Sequence, residues 1–146
     1  MREPDFQQAL AAFRAIAGQN AVLVGDGAAK PYLDPFAPGD ASAYEVSAIV
    51  LVSNVEQLRA VLGVANRYGI PLWSVSTGRN FAYGGAAPRL RGSVVLDLQR
   101  MNRIIEINET LGYALVEPGV SYYDLYQALQ ARGVSLWLDP PAAGWG

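Results

Sequence analysis

The stretch between residues 47 and 75 constrains the fold more than any other part of the sequence. It opens with Ser47–Ser53 (SAIVLVS), which is apolar between its two serines and typical of a buried strand. Asn54 is a good N-cap for a helix with one apolar face, and this helix is predicted to end near Gly69. Ile70–Val75 then leads into a second strand. A strand, a helix and a strand in this order predict a βαβ unit with parallel strands.

Weaker patterns surround this unit. Before it, the sequence predicts a helix over Phe6–Ile16, a short strand at Ala21–Val24 with a turn at Gly25–Gly27, and a surface loop from Lys30 to Asp40 that Tyr32 and Phe36 anchor. After it, the sequence predicts a strand at Ser93–Leu98, a hairpin of Ile104–Ile107 with Tyr113–Val116, a helix capped by Ser121, and a short strand at Leu136–Leu138. Together these elements predict an α+β fold, with an N-terminal helix and surface segment (1–46) followed by a larger unit (47–146).

Several kinds of site are excluded because the residue types they need are missing. The 146 residues include no cysteine and no histidine, so this chain alone can build no disulfide, imidazole metal site or Ser-His-Asp triad. No metal site is predicted. The carboxylates Asp97, Glu117, Asp124 and Asp139 lie on different predicted elements, which does not favour an acid–base pair, and Asp97 is expected to be a turn or cap residue.

Charge and hydropathy suggest neither nucleic acid nor membrane as a partner. The net charge is only −2, and no apolar run reaches the roughly 20 residues of a membrane span. The first residues are charged and lack the apolar stretch of a secretory signal. We therefore expect a cytoplasmic protein, with the periplasm as the alternative.

A loop of small residues, Ser76–Pro88 (STGRNFAYGGAAP), follows the second strand. Its glycines allow backbone N–H groups to turn toward a ligand, and its hydroxyl and amide side chains add donors. Arg79 supplies either a charge for phosphates or a structural ion pair. Such a loop suits a diphosphate. On composition alone, a turn that only reverses the chain is an equal alternative, because the loop matches neither a P-loop nor G-x-G-x-x-G.

The same string resembles the flavin diphosphate loop of the vanillyl-alcohol oxidase and p-cresol methylhydroxylase family. Further matching motifs occur in the same order along the chain: 48–71, 92–98, 101–104, 116–120, 136–139 and 144–146. The resemblance therefore covers nearly everything from Ser47 onward. It implies an FAD-binding domain of the p-cresol methylhydroxylase type, with an N-terminal subdomain that contains the βαβ unit and the start of a second subdomain. Residues 47–146 would be the N-terminal part of that domain, without the family's cap domain.

The residues that the resemblance implies for FAD lie in the loop, in a later turn and near the last residue. They are Ser76, Thr77, Gly78, Arg79, Asn80, Phe81, Gly84, Gly85, Ala86, Pro118, Gly119, Val120, Gly144, Trp145 and Gly146. Ala82 departs from the pattern because relatives have glycine there, which puts the detailed loop shape in doubt.

The resemblance also implies an oxidoreductase that acts on para-alkylphenols. Tyr83 matches the family's tyrosine that hydrogen-bonds the phenolic oxygen, which favours the phenolate and thereby hydride transfer from the benzylic carbon to flavin N5. The alternative for Tyr83 is an aromatic packed under the loop. Ala142 falls where the alcohol oxidases carry an aspartate near N5, which favours a hydroxylating dehydrogenase over an oxidase of the vanillyl-alcohol or eugenol type.

The implied partners are a para-substituted phenol, the remaining C-terminal part of the flavoprotein in the same or a separate chain, and a cytochrome that accepts electrons. Because family members are several times longer, we expect the isolated chain to be inactive. Two alternatives stay open: a non-catalytic fragment that acts only with a partner chain, and a flavoprotein with another substrate. Trp73 and Trp137 are expected in the core, whereas Trp145 could equally contact a ligand.

Overall fold

The computed structural model describes residues 3–33, 39–40, 44–78 and 87–139 of the chain, and these residues form two sheets. The first has four strands in the order β1-β2-β4-β3, which are β1 (Val22–Leu23), β2 (Ala48–Leu51), β3 (Leu72–Val75) and β4 (Val94–Asp97). The second is a hairpin of β5 (Ile104–Asn108) and β6 (Tyr113–Val116). The helices are α1 (Glu3–Ala17), α2 (Asp26–Ala29), α3 (Val55–Tyr68) and α4 (Tyr122–Ala131), with short 3₁₀ turns at Gln19–Ala21 and Lys30–Tyr32. The predicted α+β class is confirmed.

The predicted βαβ unit is present, with one addition. Strand β4, which comes later in the chain, lies between β2 and β3 and is parallel to both. All four residues of β4 are buried, whereas β3 keeps Ser74 exposed. The fully buried strand thus takes an inner position and the partly exposed strand the edge, as burial of both faces requires.

Helix α3 begins and ends as its sequence predicts. Asn54 Oδ1 accepts a hydrogen bond from the Gln57 N–H at 2.8 Å, and Gln57 Oε1 accepts one from the Ser53 N–H at 2.9 Å. The helix ends before Gly69, which is left-handed. Its buried residues Val61, Val64 and Ala65 face the sheet and pack in one core with residues of α1.

The opposite face of the sheet carries a second, smaller core. Its buried members are Ala21, Ile49, Leu51, Val75 and Val95. The segment from α2 to the 3₁₀ turn covers part of this face through Ala28 and Tyr32. Residues before β2 therefore contribute to both cores, and the boundary between residues 46 and 47 stays a prediction.

Three local predictions are wrong. Asp26 and Gly27, expected to belong to the turn at Gly25–Gly27, are part of the short helix α2. Leu136–Leu138 is not a strand, because no strand among the described residues pairs with it. Trp137 is 85% exposed and so lies outside the core. Trp73 does pack on the second core, although its buried indole N–H has no partner in the structure.

The predicted hairpin and the helix that follows it are confirmed. The Asn108 side chain accepts a hydrogen bond from the Leu111 N–H at 2.9 Å and thereby supports the turn. Ser121 and Asp124 form a reciprocal capping box at the start of α4. Across the described ranges, no helix is both long and apolar enough to cross a bilayer.

Candidate cofactor site

The carboxyl ends of β2, β3 and β4 lie at one edge of the sheet because these strands are parallel. Strand β3 continues into Ser76–Gly78, and β4 continues into a turn at Leu98–Gln99. The Leu98 N–H donates to the Val75 carbonyl at 2.9 Å, so the two strand ends are joined. In sheets of this kind, ligands bind outside the carboxyl ends of the strands.

Ser76–Gly78 has the geometry that a diphosphate-binding segment needs. Ser76 is exposed, and Thr77 and Gly78 are partly exposed. Gly78 has a φ of 71°, a conformation that residues with a side chain rarely adopt. The chain therefore turns as it leaves the strand, with hydroxyl groups and backbone N–H groups near solvent, and these donors fit a negatively charged ligand.

The Pro118–Val120 turn packs directly on the end of β4. The Gly119 N–H donates to the Met101 carbonyl at 2.8 Å, and a Cβ on Gly119 would lie only 2.5 Å from the Gln99 carbonyl oxygen. A glycine is required here because the Gln99 carbonyl group leaves no room for a side chain, and not because of the dihedral angles of the residue. The structure thus brings Val75, which directly precedes the predicted segment Ser76–Gly78, and the predicted segment Pro118–Val120 to the same turn at Leu98–Gln99.

An ion pair fixes the residue that precedes this turn. Glu117 is 6% exposed, and its carboxylate accepts from the Arg103 N–H at 2.8 Å, from Nη2 at 2.7 Å and from Nε at 3.0 Å. The side-chain hydrogen bond from Arg103, followed by the backbone one, lowers the pKa of Glu117. The pairing of Arg103 with Glu117 holds the residue that precedes the turn.

Asp97 contributes a buried carboxylate at the end of the central strand. It is 3% exposed and accepts hydrogen bonds from the Gln99 N–H at 2.8 Å, from Gln99 Nε2 at 2.9 Å and from the Tyr32 hydroxyl. Asp97, expected to be a turn or cap residue, is the last residue of β4, and its side chain caps the Gln99 N–H, so the cap role is confirmed, as is the anchoring role of Tyr32. Burial, and then the hydrogen bond to Asp97 and its charge, raises the pKa of the Tyr32 hydroxyl well above its usual range.

The other predicted site residues lie outside the described residues. They are Arg79, Asn80, Phe81, Tyr83, Gly84, Gly85, Ala86, Gly144, Trp145 and Gly146, together with Phe36, Ala82 and Ala142. Within the described part of the chain, no group of three or more acidic side chains could hold a metal ion.

Comparison with known protein families shows which cofactor the domain binds. The model of the family described as "FAD binding domain" matches residues 46–146, which is more than half of the chain. The chain belongs to this FAD-binding family. FAD is therefore the cofactor, as predicted, and the Gly-rich segment after β3 is part of a flavoprotein fold.

The FAD-binding domain is similar in sequence to the flavoprotein subunit of 4-cresol dehydrogenase (hydroxylating) from Pseudomonas putida. The two are 42% identical over 135 residues, which is 92% of this chain and 26% of the relative. The chain thus spans about a quarter of the length of that relative.

Two solved structures have the same fold over the whole chain. One is p-cresol methylhydroxylase with substrate bound, with a TM-score of 0.93 and 40% identity over 100% of this chain and 29% of that one. The other is 4-ethylphenol oxidase from Gulosibacter chungangensis in an isoeugenol complex, with a TM-score of 0.94, 40% identity and 28% of that chain covered. The predicted family and its enzyme class, flavoprotein oxidoreductases, are thereby confirmed.

Proposed function

We propose that this chain is the FAD-binding part of an oxidoreductase that dehydrogenates or hydroxylates para-alkylphenols. The similarity to the 4-cresol dehydrogenase flavoprotein subunit over 92% of the chain carries this proposal. It is supported by the junction of Ser76–Gly78 and Pro118–Val120 at the carboxyl edge of the parallel strands.

Each segment of the site would have a separate task. Residues Ser76–Phe81 and Gly84–Ala86 would donate hydrogen bonds to the diphosphate, and Pro118–Val120 and Gly144–Gly146 would lie along the cofactor. Tyr83 would donate to the phenolic oxygen and stabilise the phenolate, because a donor facing that oxygen favours its negative charge. FAD, when bound, supplies the acceptor for the hydride of the para benzylic carbon.

The whole protein would need more than these 146 residues. The chain spans about a quarter of its relatives, so we expect the rest of the flavoprotein, in the same or a separate chain, to complete the substrate site. A cytochrome as electron acceptor, and a cytoplasmic location, remain predictions.

The cofactor assignment is tested by titrating the whole flavoprotein, prepared without flavin, with FAD and with riboflavin. We expect quenching of flavin fluorescence with FAD and much weaker binding of riboflavin, which lacks the diphosphate. Equal affinity for the two would contradict a site built around phosphate contacts. Absence of binding by either would reject the function altogether.

The substrate assignment is tested by Tyr83→Phe in the same protein. Loss of the Tyr83 hydroxyl should lower kcat for 4-alkylphenols by roughly 10²–10³-fold, the usual effect of removing one hydrogen-bond donor to a developing charge. Tyr68→Phe is the matched control, because it removes a tyrosine hydroxyl that donates to Gln8 of helix α1. An unchanged rate in Tyr83→Phe would refute the phenol site.

A phenol oxidase is the second candidate, favoured by the similarity to 4-ethylphenol oxidase. The two candidates differ in the electron acceptor. Turnover measured with oxygen alone, and then with an artificial one-electron acceptor, separates them. We expect rapid turnover only with the artificial acceptor, because Ala142 replaces the aspartate that the oxidases carry near the flavin.

A further inference from the structure

We propose that Tyr32 and Asp97 act together as positioning residues for the FAD site, an inference that rests on the proposed function. Neither residue belongs to the Gly-rich segment after β3 or to the Pro118–Val120 turn. Asp97 is the last residue of β4, and its buried carboxylate accepts hydrogen bonds from Tyr32, which precedes β2, and from Gln99, which follows β4.

The first step is the fixing of the turn after β4. Asp97 accepts from both the backbone N–H and the side-chain amide of Gln99, at 2.8 and 2.9 Å. These two bonds hold Gln99 in a single orientation relative to the strand. The Asp97 backbone is held as well, because β4 is hydrogen-bonded to strands on both sides.

The second step is the transfer of this orientation to the cofactor segment. A Cβ on Gly119 would lie 2.5 Å from the Gln99 carbonyl oxygen and 2.7 Å from that of Leu98. No side chain would fit at Gly119, so its backbone packs directly on Leu98 and Gln99, and its N–H donates to the Met101 carbonyl at 2.8 Å. We therefore expect a movement of Gln99 to shift Gly119 and its neighbour Val120.

The third step is the role of Tyr32. Its ring packs on the second core, and its hydroxyl donates to the carboxylate oxygen that also accepts from the Gln99 side chain. The raised pKa of this hydroxyl keeps it a donor across the physiological range. Since a hydrogen bond to a charged group is stronger than one between neutral groups, Tyr32 adds a third restraint on Asp97, at the oxygen that Gln99 Nε2 also bonds.

The test measures FAD affinity and the free energy of unfolding side by side in the whole flavoprotein. The variants are Tyr32→Phe, Asp97→Asn and their double mutant, with Tyr68→Phe as the control that removes a tyrosine hydroxyl on the other face of the sheet. We expect Tyr32→Phe to raise the Kd for FAD about tenfold, the equivalent of one hydrogen bond to a charged group. The double mutant should bind FAD about as tightly as Asp97→Asn, because Tyr32 is proposed to act only through the Asp97 carboxylate.

The outcomes separate the two proposals. If the wild-type protein binds FAD and the Kd of Tyr32→Phe is unchanged, or changes no more than that of Tyr68→Phe, the positioning role is overturned. The proposed function is then left intact. Additive losses in the double mutant also overturn the positioning role. If the wild-type protein binds no FAD, the proposed function fails, and the positioning role fails with it. If Asp97→Asn does not fold, Tyr32→Phe alone decides.

Discussion

Gly119 illustrates how closely the cofactor segment depends on single atoms. Its α-carbon packs against the carbonyl groups of Leu98 and Gln99, so the two turns share one contact surface. The neighbouring Glu117 is buried and paired, which fixes the chain just before the turn. The position of Pro118–Val120 is therefore set by packing on one side and by charge on the other.

We expect Gly119→Ala to destabilise the domain by about 1–3 kcal/mol, because the added methyl group overpacks a site with no space. Urea denaturation of the chain measures this loss. Gly63→Ala in helix α3 is the control, since no atom lies within 4 Å of the added carbon there. That substitution should stabilise the helix by about 0.5–1 kcal/mol. Equal stability of Gly119→Ala and wild type would contradict the close contact.

Glu117 should make the domain sensitive to acid. Its folded-state pKa lies below the usual 4.5, so the stability it contributes is present above pH 4.5 and is lost as the pH falls through the lower value. Glu117→Gln should flatten this decline. Melting temperatures between about pH 6 and 3 check the slope.

The control for this pH series is Glu45→Gln. The Glu45 and Arg91 side chains are 58% and 70% exposed, and an exposed pair contributes little. If the melting temperature falls with pH as steeply in Glu117→Gln as in Glu45→Gln, another group is responsible for the acid sensitivity.

At the scale of elements, sequence predicts best where the signal is local. Local capping or turn residues define three elements that are present in the structure. They are Asn54 for α3, Ser121 for α4 and the Asn108–Gly112 turn for the β5–β6 hairpin. The insertion of β4 between β2 and β3 has no local signal, because it depends on which strand buries both faces. The strand wrongly predicted at Leu136–Leu138 has the right residue types but no neighbour to pair with.

The same limit applies to the cofactor site. Its Gly-rich segment could be recognised because glycines and small donors are contiguous in the sequence. The Tyr32–Asp97 contact joins residues 65 positions apart, so only the fold reveals it. The sequence places Tyr32 in an anchored loop but cannot identify the carboxylate that receives its hydroxyl.

The capping box of α4 provides an element-scale prediction. Ser121 Oγ accepts from the Asp124 N–H at 3.1 Å, and the Asp124 carboxylate accepts from the Ser121 N–H at 2.9 Å. Ser121→Ala removes the first bond and should lower the free energy of unfolding by about 1 kcal/mol in urea denaturation. Ser121→Thr keeps an acceptor oxygen and should recover most of the loss. A Thr variant as unstable as the Ala variant would contradict the cap.

At the scale of the whole molecule, the two sheets are supported unequally. The four-stranded sheet has a core on each face. The hairpin has α4 beside it and an apolar pocket of about 170 Å³, lined in part by Ile107, Leu129 and Leu136. Leu115 and Ile105 are at least half exposed. An isolated two-stranded hairpin is only marginally stable in water, so the second sheet is the weaker one.

Hydrogen exchange should reveal this difference in the 146-residue chain. Amides of Val94–Leu96 should exchange slowest, and amides of β5 and β6 should exchange faster, because local opening exposes the hairpin without unfolding the first sheet. Mass spectrometry or NMR follows both regions. Repeating the measurement in the whole flavoprotein should reduce the difference in exchange rate between the two sheets, since further chain would cover the exposed side chains of Leu115 and Ile105. Equal exchange rates in the two sheets of the 146-residue chain would contradict the conclusion that the second sheet is the weaker one.

The central position of β4 has a consequence for synthesis. A ribosome makes β1, β2, α3 and β3 before β4. Strand β2 can already pair with β1, but β3 has no neighbour and β2 lacks its second one until the residues up to Asp97 have been translated. The connection between β3 and β4 must also cross from one end of the sheet to the other, because the strands are parallel. The segment proposed to hold the diphosphate therefore belongs to the connection between β3 and β4. We expect the nascent chain to form this binding edge at the same time as it places β4 in the sheet.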